Sequence, residues 1–366
     1  MASRTGSTGR AESGKGLDVG TAFIYCAERG RGKITYRRQR DAFFDIEQGD
    51  FTKRMLEKVK VNYIQKGDTL FVIGEEAMEF ANIFNKECRR PLARGILSPR
   101  EKEALPMLEV IVQSLVGPPR AKGELIYYSV PGAPLDANFD VVYHEKVLKG
   151  FLGRAGYTAK PINEGMAIVF SELGEEDFTG LAMSFGAGLV NVCLSFMSVP
   201  IMTFSVAKGG DWIDQQAATA VGETASRVCA VKENRFTLSA SEYRSQIEKA
   251  LSIYYDNLIE YVALRIKREM ERSEQMPRLK HPIDVVLAGG TTLPKGFLDR
   301  FSHQISKVKL PIAIRTIRPA SHPLQSVVRG ALIAAITEGE REGAPGKKAA
   351  EFVEKAKEEG SIPLQG

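Results

Sequence analysis

Cysteine, histidine and tryptophan are all scarce in this chain, whose 366 residues hold four, four and one of them. The cysteines, Cys26, Cys88, Cys193 and Cys229, stand far apart and mostly among apolar residues. Neither a metal-ligand spacing nor a disulfide framework can be read from them, which excludes a disulfide-stapled scaffold and fits a reducing cytoplasm. His144, His281, His303 and His322 are equally dispersed, so a zinc site is not expected and a histidine-based nucleophile relay has no local signature. Long apolar runs are missing too: no segment approaches the roughly 20 residues that span a bilayer. Residues 2–15 carry no large apolar side chain, so the start reads as a flexible tail and not as a secretory signal or an amphipathic membrane anchor. Direct membrane contact is therefore not expected, although an internal apolar loop could serve.

Charge of one sign is also lacking. Fifty Lys and Arg against 45 Asp and Glu leave a net charge of +5, and the two signs are interspersed. Without a basic-aromatic surface or a finger motif, no nucleic-acid partner is expected. The densest basic cluster, Arg29 and Arg31 with Arg37, Arg38 and Arg40, reads as the solvated edge of a hairpin. With 43% hydrophobic and 26% charged residues, the composition is that of a globular chain long enough for more than one core.

What the chain does have is a repeated glycine signature. In Gly16-Leu-Asp-Val-Gly-Thr21, strand-forming residues on both sides (Leu17, Val19, Phe23, Ile24, Tyr25) are interrupted at Gly20 and Thr21. At such a turn, backbone amides can approach a phosphate oxygen with no side chain between. Asp18 then stands where it could hold a magnesium ion, directly or through water, since Mg²⁺ needs only one or two carboxylates beside the phosphates. Alone, this segment equally fits an ordinary strand turn. The design recurs in Met183-Ser-Phe-Gly-Ala-Gly188, which leads into an apolar strand from Leu189 to Phe196, and the repetition raises the weight of both. A third element, Val285-Val-Leu-Ala-Gly-Gly-Thr-Thr292, is a strand ending in two glycines before a helix expected over Pro294–Ile305.

Between these elements strands and helices alternate. The pattern predicts a strand over Gly123–Val130 and a helix over Val141–Ala155. An extended Thr158–Pro161 leads into a helix opened by Ile162-Asn-Glu-Gly-Met-Ala167. After Lys208-Gly-Gly-Asp-Trp-Ile-Asp214 a helix is expected to about Val228. Apolar residues from Ile247 to Ile266, three or four apart, mark a long helix within Ser241–Arg272 that ends by the Met276-Pro277 region. From Glu338 the composition shifts to Glu, Lys, Gly and Ala, read as a tail with a short helix at Lys347–Glu359.

The order of Asp18-Val-Gly-Thr21, Ile162-Asn-Glu-Gly-Met-Ala167, Ser184-Phe-Gly-Ala-Gly188, Lys208-Gly-Gly-Asp-Trp-Ile-Asp214 and Leu287-Ala-Gly-Gly-Thr-Thr292 resembles the actin, Hsp70 and sugar-kinase ATPase superfamily, over about Gly16–Thr337. Ile73-Gly-Glu-Glu-Ala-Met78, Arg94-Gly-Ile-Leu97, Cys229-Ala-Val-Lys-Glu233 and Val328-Arg-Gly-Ala-Leu332 are similar to bacterial actins of the MamK and MreB kind. The resemblance implies an α/β, actin-like fold: a duplicated, ribonuclease H-like pair of lobes with a nucleotide cleft between them. It implies lobe I over 16–165 with a small subdomain near 33–90. Lobe II would cover 166–322 with a small subdomain near 209–280, the chain would return to lobe I over 323–337, and tails would occupy 1–15 and 338–366.

The implied ligands are ATP or ADP with Mg²⁺. Gly20 and Thr21 would form the first phosphate loop beside Asp18, the metal-facing acid. Ser184, Gly186, Ala187 and Gly188 would form the second, with Gly209, Gly210 and Asp211 next to it. Lys232 would lie near the nucleoside, Gly289, Gly290 and Thr291 would border the adenosine, and Glu164 would orient the attacking water. Placement and charge stabilisation are most of what phosphoryl transfer needs. As a helix-opening acid, Glu164 also suits the helix dipole.

The departures matter as well. Relatives carry an acid where this chain has Ser184, a hydroxyl pair where it has Leu189 and Val190, and a second acid where it has Asn191. Serine adds no negative charge to hold a cation, so hydrolysis is expected to be slow. The implied role is a cytoplasmic, cytoskeletal, self-associating filament protein that positions a cargo or adaptor. A nucleotide-sensing scaffold that does not polymerise and an Hsp70-like or sugar-kinase-like enzyme are the alternatives.

Overall fold

The computed structural model describes residues 14–30, 32–61, 63–84, 86–273 and 281–343. The expected tail start at 1–13, the Met276-Pro277 boundary and the helix at 347–359 lie outside the described residues.

Lobe I opens with the meander β1 (Lys15–Val19), β2 (Phe23–Gly30) and β3 (Lys33–Arg40). A small sheet follows, of β4 (Phe43–Glu47), β5 (Tyr63–Lys66) and β6 (Thr69–Ile73) in the order β4-β6-β5, with helices α1 (Asp50–Lys58) and α2 (Glu75–Ile83). Its own core is Phe44, Leu56, Leu70, Val72 and Ala77. After the short pair β7 (Leu92–Ala93) and β8 (Ile96–Leu97) come α3 (Ala104–Val116), β9 (Leu125–Val130), α4 (Val141–Arg154) and β10 (Thr158–Asn163). The strands assemble in the order β10-β9-β1-β2-β3, with β9 parallel to β1 and to β10.

Helix α5 (Glu164–Glu172) passes to the second lobe, which repeats the plan. The meander β11 (Gly180–Phe185), β12 (Val190–Phe196) and β13 (Val199–Val206) precedes α6 (Gly210–Val221), α7 (Ala225–Asn234) and α8 (Gln246–Arg272). Then follow β14 (Ile283–Ala288), a 3₁₀ turn at Gly290–Thr292, α9 (Phe297–Val308), β15 (Ile314–Pro319) and α10 (Ser326–Gly343). The order β13-β12-β11-β14-β15, with β14 parallel to both β11 and β15, mirrors that of lobe I. Even the turns match: Gly20 N donates to Phe23 O at 3.2 Å, and Gly186 N to Leu189 O at 3.0 Å.

Four details differ from the sequence reading. The helix expected to run to Val228 breaks at Gly222, whose left-handed φ of +71° ends α6; Thr224 then caps α7 by accepting from Arg227 N at 3.3 Å. The helix expected from Pro294 starts at Phe297, after Gly296, whose left-handed φ of +95° is incompatible with the helix. Residues past 338 assigned to a tail continue α10, and Glu338 is held by Tyr127 and Lys160. The arginine cluster is not a plain solvated edge: Arg40 is buried, with its guanidinium over the Phe23 ring.

Helices α5 and α10 cross where the lobes join, and glycine permits it: a Cβ at Gly330 would stand 1.7 Å from Ala167 O. Replacing Gly330 with alanine forces these backbones apart, and we expect a loss of about 2–3 kcal/mol of stability by urea denaturation; a change within about 0.5 kcal/mol would contradict the packing account.

Between β3 and β4, Asp41 is fully buried and accepts only from Leu92 N at 3.2 Å. Burial pushes its carboxyl from 3.8 up to about 8, against the pull of the Leu92 amide and nearby Arg90. The folded state keeps this proton where the unfolded chain has lost it. Its contribution to stability is therefore full below about pH 4 and is lost as pH rises toward 8. Asp41→Asn should match the parent protein near pH 4 and exceed it by roughly 1–3 kcal/mol at pH 8 or above; parallel pH–stability curves would refute this.

Candidate functional site

The two matching turns meet around a cavity of about 590 Å³ between the lobes. From lobe I, Asp18, Gly20 and Thr21 line it; from lobe II, Ser184, Gly186, Ala187 and Gly188. Their approach is close enough to forbid side chains: a Cβ on Gly188 would lie 2.3 Å from Thr21 Oγ1 and 2.6 Å from Gly95 N. Thr21 Oγ1 is itself engaged, accepting from Gly95 N at 2.9 Å. The result is a cradle of backbone amides shared between two lobes, the arrangement that suits an anionic phosphate chain.

Two acids face this cradle. Asp18, near the end of β1, accepts from Ser129 Oγ at 2.8 Å, while that same oxygen accepts from Val19 N at 2.9 Å. Glu164 opens α5, where Asn163 caps the helix by accepting from Gly165 N and Met166 N. Burial raises both carboxyls above the ordinary range. The Asp18 charge raises Glu164 further, and the polar side chains of Ser184 and Asn191 nearby oppose that rise. Asn191 also joins the lobes, its Oδ1 accepting from Gly132 N at 2.8 Å. Ser184 and Asn191 are thus polar, uncharged neighbours of Glu164, and Asn191 Nδ2 is buried without a hydrogen-bond partner. Leu189 lines the cavity, whereas Val190 turns into the lobe II core.

Lys232, on α7, lies in the far wall, fixed by Asp214 at 2.7 Å and by Gly210 O at 3.1 Å. The third glycine turn closes the same wall. Gly289, Gly290 and Thr291 line it, and Thr291 Oγ1 donates to Gly186 O at 2.9 Å, tying it to the second turn. Every expected site residue except Gly209 borders the cavity. Gly209 sits behind the wall, where a Cβ would meet Ala187 O at 2.5 Å. Asp211 lines the cavity, but its carboxylate is taken by Arg90, whose Nη1 reaches both oxygens at 3.0 and 3.1 Å.

Residues that the sequence reading did not assign to the site complete the pocket: Phe23, Arg90, Glu233, Phe236, Tyr255 and Lys295 among them. Phe236 and Tyr255 stack at 5.6 Å, giving the Lys232 end of the cavity an aromatic, apolar side. Among the described residues no group of three or more His, Cys, Asp and Glu side chains gathers as a protein-only metal site. Asp18 together with phosphate oxygens would meet the lower demand of Mg²⁺. Among them, too, no helix is long and apolar enough to cross a membrane.

Duplicated α/β lobes with matched glycine turns around an interlobe cavity define a protein of the actin-like fold class. The sequence profile of the Volactin family matches residues 14–335, and the chain belongs to that family. No curated protein matches the sequence. Among solved structures it is similar to a MamK double helical filament at 18% identity, covering 88% of this chain and 98% of that one, with a TM-score of 0.64. It is similar to MreB 5 of Spiroplasma citri bound to AMPPNP at 14% identity, covering 91% and 99%, with a TM-score of 0.60. The ADP-bound form of that protein matches at 14% identity over the same shares, with a TM-score of 0.58. These likenesses establish the fold, in keeping with the resemblance carried by the motifs.

Because the cradle tolerates no Cβ at Gly188, Gly188→Val should lower affinity for a nucleoside triphosphate by about tenfold or more while the far-ultraviolet dichroism stays native. Unchanged affinity in a fluorescence titration would show that phosphate does not sit there.

Proposed function

We propose that the interlobe cleft binds ATP with Mg²⁺ and that nucleotide state governs assembly of the chain into filaments. The observation that carries this reading is the cradle itself: two glycine turns, one from each lobe, converge on one cavity with Asp18 and Glu164 at its phosphate end. The amides of Thr21, Ala187 and Gly188 hold the phosphates, while Gly20 and Gly186, whose own amides close the two turns, keep the approach free of side chains. The wall of Lys232, Gly289, Gly290 and Thr291 holds the nucleoside. Asp18 holds the magnesium ion, through water or directly, and the ion's part is to neutralise phosphate charge. Glu164 orients a water toward the terminal phosphate, held in place at the N-terminus of α5 next to its cap Asn163.

Ser184 brings no charge to the metal, so turnover is slow and the ATP-bound state long-lived. The fold, the self-association named for the MamK double helical filament, and the AMPPNP-bound and ADP-bound states of MreB 5 all favour a nucleotide-switched polymer. In this reading, closed subunits stack head to tail through a heterologous contact, in the cytoplasm, and the polymer positions a cargo or adaptor.

Sedimentation tests it. The chain should pellet with ATP and Mg²⁺ and stay soluble without nucleotide, and slow phosphate release should fall roughly tenfold or more in Glu164→Ala. Pelleting that is indifferent to nucleotide would remove the switch. Nucleotide binding without pelleting would replace the filament with a nucleotide-sensing scaffold.

A further inference from the structure

The cleft is bridged by two ion pairs that belong to neither phosphate turn. Arg90, just before β7 in lobe I, bonds Asp211 in the first turn of α6 in lobe II, at 3.0 Å. Arg40, at the end of β3, reaches Glu233 on α7 at 3.4 Å and Glu75 on α2 at 2.9 Å. Three of these groups, Arg90, Asp211 and Glu233, border the cavity. Arg40 is held under the wall by its stacking over Phe23, at 4.3 Å from the ring centroid. Several other joins between the lobes are of a different kind. Ser205 N donates to Ala133 O at 2.8 Å, Leu135 N to Ser205 O at 2.9 Å, and α5 packs on α10 through backbone and apolar contact. These joins carry no formal charge, and the Asp136 carboxylate, which accepts from Ala207 N at 2.7 Å and from Tyr261 Oη at 2.9 Å, adds one outside the two ion pairs, so the pairs can open while the others persist.

We propose that Arg90–Asp211 and Arg40–Glu233 form a two-point ionic clasp that holds the lobes closed over the cavity and sets how fast a bound nucleotide leaves. Arg90 and Arg40 are positioning residues: they act on the ligand through closure. Asp211 links the clasp to the cradle directly, because its own N–H donates to Ala187 O at 2.8 Å and Gly210 N donates to Gly186 O at 3.0 Å. Opening at Arg90 therefore frees the α6 end that supports the second turn. The lobe II carboxylates are partly exposed, with side chains 38% accessible at Asp211 and 44% at Glu233, so each pair is of modest strength and sensitive to salt.

The test uses Asp211→Asn, Glu233→Gln and their combination in the full chain, together with a charge-exchanged protein carrying Arg90→Asp and Asp211→Arg. Hydrogen exchange of the nucleotide-free proteins reads closure at Gly95, whose amide is buried against Thr21. Release of a fluorescent ADP, which rests on the nucleotide reading, gives the second measure. Each single change should speed both by roughly two- to fivefold, and the combination by about tenfold. Exchanging the charges should restore the slower rates, and raising salt to about 0.5 M should speed the parent protein but not the doubly changed one. Exchange at Gly95 that is unaltered in the combined variant, or equally fast in the charge-exchanged protein, would overturn the clasp. Altered exchange with no ADP bound at all would reject the nucleotide reading and leave the closure intact.

Discussion

Everything in the cleft depends on two backbone turns meeting with no side chain between them. Gly188 lies so close to Thr21 and Gly95 that a methyl group there would overlap both. This contact puts donors from two separately built cores around one small volume. The crossing of α5 and α10, with Gly330 against the Ala167 carbonyl, keeps those cores in register. Since each lobe is a five-stranded sheet of the same order, a site built at the same turn of each is a natural product of duplication.

Charge at the phosphate end is sparse and strongly desolvated. Burial raises both Asp18 and Glu164, and the Asp18 charge adds to the cost of ionising Glu164. A further acid at position 184 or 191 would add to that cost unless a cation compensated it. Ser184 and Asn191 instead offer uncharged polar groups beside Glu164, and Asn191 also accepts from Gly132 N across the lobes. The second turn thus stays polar at Ser184 and Asn191 without adding charge to the cavity. Arg90 completes the picture by occupying Asp211, which sequence alone assigned to the ligand.

Much of this was legible in the sequence because the glycine turns are local. Residues Gly16–Thr21 and Met183–Gly188 carry their turn chemistry within a few positions, and alternating strands and helices around them imply a doubled α/β plan. The break between α6 and α7 was legible too: Gly222 followed by Thr224 is a stop and a start that the reading ran through. By contrast, Arg90 and Asp211 are 121 residues apart, and no local pattern pairs them. Asp41 looks like a turn acid in sequence, and only packing reveals that it is sealed from water. The proximity of Ser184 to Glu164 also needed two elements to be brought together in space.

The central claim is that the cavity between the lobes is a nucleotide site, and calorimetric titration of ATP with Mg²⁺ into the purified chain tests it most directly. The account predicts saturable binding to a single site and a rise in melting temperature that grows with ligand concentration. A folded chain that shows neither binding heat nor any stabilisation at millimolar ATP would contradict it.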